Sequence, residues 1–301
     1  MKDIYPAIGL ARLCRLLGVT RQAFYQHFWH VSDVSTDEQL VLGEVNRIRY
    51  LHPVIGGRKL FYLLQSFLID HQIKMGRDAL FDLLAAHKML VRKRRRRANT
   101  TQSHHWLKKY PNLIKDWHPS KPNQLWVSDI TYISIPNGFL YLSLLTDAYC
   151  HKIMGYAVAD NLAAINTTKA LRMALNNLTD IPDDLIHHSD RGIQYCSSEY
   201  INLLKENNIR ISMSENGDPL ENAVAERVNG ILKNEYLCHY PLTRLDQAEE
   251  LLPDIINRYN KLRPHQSINL MTPHEAQIKR PVNKTWSKKQ EIVNIVNLYQ
   301  D

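Results

Sequence analysis

Leu125-Trp126-Val127-Ser128-Asp129-Ile130-Thr131-Tyr132-Ile133-Ser134-Ile135 is dense in β-branched and aromatic residues, and Pro136-Asn137-Gly138 follows as a strong hairpin turn signal. The run reads as a strand over 125–135, and residues 139–146 and 152–158 extend it into a three-stranded antiparallel meander. Beyond the meander the hydrophobic period lengthens. A helix is expected over 163–177, a strand over 184–188, a helix over 197–207, a strand over 210–213 and a long helix from about 221 to 237. A meander followed by alternating helix and strand predicts an α/β mixed sheet with helices on its faces.

Three acids in this region are hard to explain structurally. Period two places Asp129 on the strand face shared with Val127, Thr131 and Ile133, where a carboxylate is costly unless it is paired or holds a metal. Asp190 closes a strand in His187-His188-Ser189-Asp190-Arg191-Gly192, at the carboxyl end where α/β sheets place ligands. A turn or capping role is the plain alternative for it. At 100° per residue, Asn222, Glu226, Asn229 and Lys233 fall within about 60° of one another, while Val224, Val228, Ile231 and Leu232 lie across the helix. Such a stripe is equally the wet face of an amphipathic helix. What distinguishes the acids is their joint spacing: sixty residues stand between Asp129 and Asp190, and thirty-five between Asp190 and Glu226.

Upstream of this region the charge balance reverses. Residues 1–121 hold 21 Lys and Arg against 9 Asp and Glu, a net +12, and residues 122–301 hold 17 against 21, a net −4, which together give the chain's +8. The basic third culminates in Arg92-Lys93-Arg94-Arg95-Arg96-Arg97, the footprint of a phosphate-backbone binder or, more plainly, of a solvated basic linker. Residues 8–17, the turn Gly18-Val19, and a second helix over 21–29 capped by Thr20 form a helix-turn-helix pattern. Such a motif would bring Arg21, Gln22 and Tyr25 to base edges; an ordinary helical hairpin is the alternative.

The expected organisation is a helix-turn-helix at 1–31, a polar stretch at 32–37, and a second helical DNA-binding unit at 38–97 with helices over 38–50, 58–69 and 77–90. A basic linker at 98–121, carrying Trp106, Tyr110 and Trp117, leads to the α/β core at 122–240 and a C-terminal helical extension at 241–301. With 44% apolar residues, the 301-residue chain has the composition of a globular protein. No window approaches eighteen consecutive apolar residues, and the N-terminus lacks the apolar run of a secretory signal, so a cytoplasmic, nucleoid-associated protein with no membrane contact is expected. Cys14, Cys150, Cys196 and Cys238 stand far apart, without the spacing of a zinc site or redox dithiol.

Taken together, these residues resemble a known family, the DDE transposases and retroviral-type integrases with an RNase H-like core, and most closely the second-frame protein of the insertion-sequence-three family. The resemblance is carried by Trp126-Val127-Ser128-Asp129-Ile130-Thr131-Tyr132, Tyr141-Leu142 with Asp147, His188-Ser189-Asp190-Arg191-Gly192-Ile193-Gln194-Tyr195 and Ser212-Met213-Ser214. It continues through Glu221-Asn222-Ala223 to Glu226, Leu232-Lys233-Asn234-Glu235, Tyr259-Asn260, and Arg263-Pro264-His265 with Thr272-Pro273. Between Gly217 and Asn222 the chain departs from the family's usual Cys-Trp-Asp type of sequence, reading Asp218-Pro219-Leu220-Glu221.

The resemblance implies an enzyme that nicks the end of a bacterial mobile element and directs the freed 3′-hydroxyl onto another phosphodiester. It implies two Mg²⁺ ions, or Mn²⁺, bound by Asp129, Asp190 and Glu226, which would serve as catalytic residues and metal ligands. Hard cations take oxygen ligands and need few carboxylates, and a metal pair roughly 4 Å apart can activate the attacking oxygen and stabilise the leaving one. Arg21, Gln22, Tyr25, Arg92–Arg97, Asn222 and Lys233 are the candidate DNA contacts. Double-stranded DNA, both element ends and target, is the implied partner, with a homo-oligomer on DNA and an upstream-frame helix-turn-helix and coiled-coil protein. His188 reads as structural or as a support to the acids. The alternatives are a structure-specific nuclease on the same fold and a non-catalytic helix-turn-helix regulator.

Overall fold

The computed structural model describes residues 9–91, 106–115, 117–215 and 223–281, with backbone alone for 27–35. Its contacts divide the chain into two compact units, Met1–Tyr50 with Gly56–Val91, and Leu51–Ile55 with Arg92–Asp301.

The first unit is helical. Helix α1 (Leu10–Leu16) buries Leu13 and Cys14, and α2 (Arg21–Leu51) starts after a short turn. The Thr20 hydroxyl accepts from Ala23 N at 3.0 Å, so the expected cap is made. Helix α2 then runs without interruption through the stretch read as a polar linker at 32–37. That stretch holds no proline or glycine, and polarity alone does not break a helix. Helices α3 (Gly57–Asp70) and α4 (Arg77–Ala86) bury leucines at helical spacing: Leu60, Leu64 and Leu68, then Leu80, Leu83 and Leu84. Helix α4 stops short of the expected residue 90 because Lys88 turns into the left-handed region at φ 56°, and Met89 N closes back on Leu84 O.

The second unit is built on one five-stranded sheet. Strands β1 (Leu125–Ile135), β2 (Gly138–Asp147) and β3 (Ile153–Ala159) form the antiparallel meander, and β4 (Ile186–Ser189) and β5 (Arg210–Met213) add in parallel on the far side of β1. The order is β3-β2-β1-β4-β5. This is the mixed RNase H-like sheet expected from the sequence, with helices on both faces.

One face buries Trp126, Leu145, Met154 and Leu171 with the side chains of α5 (Ala164–Asn176) and α6 (Ser198–Glu206). The other packs Ile133, Leu140, Leu142 and Leu144 against α7 (Ala223–Ile231) and α8 (Leu245–Lys261). A last helix, α9 (Pro273–Lys279), begins with a capping box in which Thr272 and Glu275 exchange hydrogen bonds. Among the described residues, no helix is long and apolar enough to cross a membrane.

Close contact between α5 and β3 depends on Gly155, where any Cβ would run into the carbonyl oxygen of Ala170. Gly155→Ala is expected to force the helix off the sheet at a cost of about 1–3 kcal/mol, read as an earlier urea midpoint. An unchanged midpoint would show that α5 can shift without loss.

Two sequence readings change here. Over the described residues of 106–121 the expected linker packs on the unit that holds the sheet. Leu107 and Tyr110 join one core, Leu113, Ile114 and Trp117 another, and Leu113 N donates to Ser212 Oγ at 2.9 Å. Interspersed lysines hide this apolar spacing in the sequence.

The long helix expected over 221–237 is also not uniform. After Ile231 it widens into a π-helical turn, Leu232–Tyr236, and ends in a 3₁₀ turn, Leu237–His239. Arg263, 1% exposed, grips Glu235 of the π turn through Nε and Nη2 at 2.9 Å each, and its Nη1 lies 3.0 Å from His265 Nε2. A tether from outside the helix, rather than helix propensity, accompanies the distortion.

Candidate active site

Asp129 projects from the β1 face that carries Val127 and Ile133, the face covered by α7. Strands β1 and β4 pair in parallel with Val127 opposite His188 and Ser128 opposite Ser189. One further step of that register sets Asp190 beside Asp129. The turn that follows β4 is held by Asp190 itself, whose Oδ1 accepts from Gly192 N at 2.9 Å. A Cβ on residue 192 would stand 2.9 Å from that oxygen, so only glycine lets the turn close so tightly.

Helix α7 supplies the third side. Val224 and Val228 bury toward the sheet, which turns Glu226 outward and brings Asn229, one turn further on, over Asp129. Asn229 Nδ2 donates to Asp129 Oδ2 at 2.7 Å, and Ile130 N donates to Oδ1 at 2.9 Å.

Burial is the largest influence on Asp129 and raises its carboxyl. The Asp190 charge raises it further and Glu226 adds a smaller push, while the two hydrogen bonds oppose them; the outcome is a pKa pushed up to about 7. Asp129 therefore lies within electrostatic reach of both other acids. Among the described residues, no three or more His, Cys, Asp or Glu side chains are gathered tightly enough to cage an ion. Asp129 and Asp190 instead direct oxygens at Asn229, Ile130 and Gly192.

Two buried histidines lie behind the acids. His188 places Nδ1 2.9 Å from Ser212 Oγ and leaves Nε2 buried without a hydrogen-bond partner, and burial lowers its pKa to about 4. His187 faces the other side of the sheet, its Nε2 2.8 Å from the Tyr200 hydroxyl, and burial, aided by neighbouring His188, lowers it to about 3.

The His187 shift gives a signed expectation. The folded state keeps His187 neutral, while an unfolded chain takes up the proton below a pKa of about 6.5. Its contribution is complete above about pH 6.5 and is lost as the pH falls toward about 3. His187→Gln should flatten the decline of stability across that window relative to wild type, as measured by urea melts at stepped pH. Parallel profiles would contradict it.

Other sequence candidates are distributed differently. Arg21, Gln22 and Tyr25 are exposed at the start of α2, in the helical unit. Lys233 is half-buried on the π turn rather than on a straight helical stripe, and burial lowers its pKa. Arg92–Arg97 and Asn222 lie outside the described residues, as does the Asp218–Glu221 departure. Asp147, within the motif block, is fully buried and accepts from the backbone N–H groups of Asn123, Tyr149 and Cys150. Asn229 was visible in the sequence only as a member of the polar stripe. Nothing there shows that its amide would be the group touching Asp129.

Residues 119–219 match the family model described as integrase core domain, and residues 207–273 match a second model of the same description. The chain is 36% identical over 266 residues to the insertion element IS600 31 kDa protein of Shigella sonnei, covering 87% of this chain and 96% of that one. It is 28% identical over 283 residues to the putative transposase InsK for insertion sequence element IS150 of Escherichia coli, covering 91% and 94%. The transposase InsF for insertion sequence IS3A of the same organism is 28% identical over 281 residues, covering 90% and 94%.

Solved structures with a similar fold include the HTLV-2 integrase catalytic core in complex with magnesium, at 21% identity and a TM-score of 0.41, covering 52% of this chain and 97% of that one. The simian T-cell lymphotropic virus intasome is another, at 20% identity and a TM-score of 0.46, covering 71% and 70%. With its extent shared almost end to end with insertion-sequence proteins and its integrase core domain, the chain belongs to the DDE transposases of the IS3 type.

Proposed function

We propose that Asp129, Asp190 and Glu226 are the catalytic acids of a divalent-metal-dependent reaction that cuts DNA at the ends of a bacterial insertion sequence and joins the freed 3′-hydroxyl to a target strand. The observation that carries this reading is that acids at the β4 exit and on α7 lie within electrostatic reach of Asp129 on β1. Asp129 is half-buried, and its carboxyl is raised by the charges of both others. Mutual repulsion of this kind is relieved by cations, and an all-oxygen donor set suits hard ions such as Mg²⁺ or Mn²⁺. The buried Asn229 Oδ1, without a partner and on the amide that touches Asp129, adds a further oxygen at the same place.

Two bound ions would supply the Lewis acidity that activates the attacking oxygen and steadies the leaving one. The chain's own contribution is placement. Asp129 on β1 lies within the field of Asp190 at the β4 exit and, more weakly, of Glu226 on α7, and Asn229 donates to Asp129 Oδ2. DNA contact is assigned to Arg21, Gln22 and Tyr25, to the basic run Arg92–Arg97, and to Asn222 and Lys233 near the acids. Protein partners are a second copy on DNA and an upstream-frame helix-turn-helix and coiled-coil protein. The substrate places the reaction at the bacterial chromosome, in the cytoplasm.

Incubating the protein, with and without its upstream-frame partner, with DNA carrying matched terminal repeats should yield nicked ends and strand-transfer products in Mg²⁺ or Mn²⁺ and none in EDTA. Products that persist undiminished in chelator would overturn the metal-dependent reading.

A further inference from the structure

β5 is an outer strand of the sheet, and residues 111–113 lie against it. Met213 N donates to Pro111 O at 3.3 Å, and Leu113 N to Ser212 Oγ at 2.9 Å. An outer strand needs a cover, and almost any stretch of backbone would provide one. This stretch then turns inward. Asn112 Oδ1 accepts from Ile114 N at 2.9 Å, closing an Asx turn, and Ile114 is only 8% exposed.

The core that Ile114 enters joins the elements that carry the three acids. It holds Val127 of β1, two residues before Asp129; Ile186 of β4, whose exit carries Asp190; and Val224 and Ala225 of α7, the latter adjoining Glu226. Leu113 and Trp117 pack at its margin. A second link runs through polar atoms. The Ser212 hydroxyl that accepts from Leu113 N also stands 2.9 Å from Nδ1 of His188. That ring is fully buried, two residues before Asp190, on a strand position paired with Val127 and so on the face of Asp129.

We propose that Leu113 and Ile114 are positioning residues of the active site. Leu113 acts through its N–H on Ser212 and Ile114 through its side chain, and together they hold the strand of Asp129, the exit of Asp190 and the first turn of α7 at the separation that metal ions require. The inference rests on the reading that the acids bind divalent cations. Close-packed interiors transmit strain, so loosening the packing behind the acids moves their oxygens, and metal ligands need placement within about 0.5 Å.

The test titrates the full chain with Mn²⁺ in the absence of DNA, reading bound metal from loss of the free-ion paramagnetic resonance signal, and runs cleavage of terminal-repeat DNA against Mn²⁺ concentration beside it. Ile114→Ala and Ser212→Ala should each weaken Mn²⁺ binding, and raise the Mn²⁺ needed for half-maximal cleavage, by about tenfold or more, as loss of a support behind metal ligands does. DNA affinity should not change. Ile114→Leu, which conserves volume, should return both values to within about threefold of wild type. Leu204→Ala opens a comparable cavity in the core on the opposite face of the sheet. It should lower the melting temperature much as Ile114→Ala does and leave Mn²⁺ binding at the wild-type level, a contrast that a merely structural role would not produce. Should Ile114→Ala fail to fold, Ile114→Val and Ser212→Ala carry the same comparison.

Variants at 114 and 212 that bind Mn²⁺ as wild type does, whatever they lose in melting temperature, would overturn the proposal and leave the acid assignment intact. Equal loss of Mn²⁺ binding in Leu204→Ala would overturn it too, since any softening of the fold would then suffice. A wild type that binds Mn²⁺ no better than Asp129→Asn/Glu226→Gln would instead sink the underlying reading, so the two failures are distinguishable.

Discussion

Asp129→Asn, Asp190→Asn and Glu226→Gln should each reduce end cleavage and strand transfer by at least about a thousand-fold, on the scale expected when an essential electrostatic group is removed from an active site. None should weaken DNA binding, because phosphate attraction is assigned to the basic third of the chain. Asp129→Asn should also raise the melting temperature in chelator, since it removes a buried charge that two neighbouring acids oppose while leaving an amide for the Asn229 contact. Each kcal/mol gained is worth about 2–4 °C for a unit of this size. Deleting Arg92–Arg97 should do the reverse, weakening binding and flattening its salt dependence while the acids stay intact. Gel-shift titrations at two salt concentrations beside a cleavage assay separate these outcomes. Loss of binding in the acid variants would contradict the division of labour.

Arg263→Ala is expected to destabilise the protein by about 3–5 kcal/mol, the range for stranding one member of a buried ion pair. Arg263 is almost wholly enclosed, and its two-pronged hold on Glu235 ties the π turn to the chain beyond α8. Without the guanidinium, Glu235 loses both hydrogen bonds that it accepts from Arg263 in a largely buried site. Arg263→Met with Glu235→Leu should recover much of the loss, because neither charge then remains to be desolvated. Urea melts of the two single variants and the double variant form the cycle that measures the coupling. Single variants costing less than about 1 kcal/mol would show that the π turn is held by packing alone.

The sheet was legible because its strands carry local signals: alternation in 125–135, the Pro136-Asn137-Gly138 turn, and short apolar runs before His187 and after Asn208. The acids were legible by spacing, joined to the resemblance that the spacing supports. What escaped were features set by contacts distant in the sequence. Nothing in 232–236 announces a π turn, because Arg263, which grips it, lies 28 residues beyond Glu235. The interleaved lysines of 106–121 resemble a linker until Leu113, Ile114 and Trp117 are seen against the sheet. Polar residues at 32–37 suggested a break where none exists, since a helix end needs a stop signal and that stretch contains neither glycine nor proline.

The central position of β1 also sets a timetable for synthesis. Its hairpin with β2 closes within the first 25 residues of the core, but its other edge waits for β4, some forty residues later, and Glu226 is later still. Short-range pairs form early and long-range ones late. The nascent chain therefore completes its basic helical unit long before Asp190 and Glu226 are made, and the Arg263 grip on the π turn closes later again. A chain still on the ribosome carries its helical unit complete while the edge of β1 that faces β4 is open and Asp129 has neither Asp190 nor Asn229 beside it.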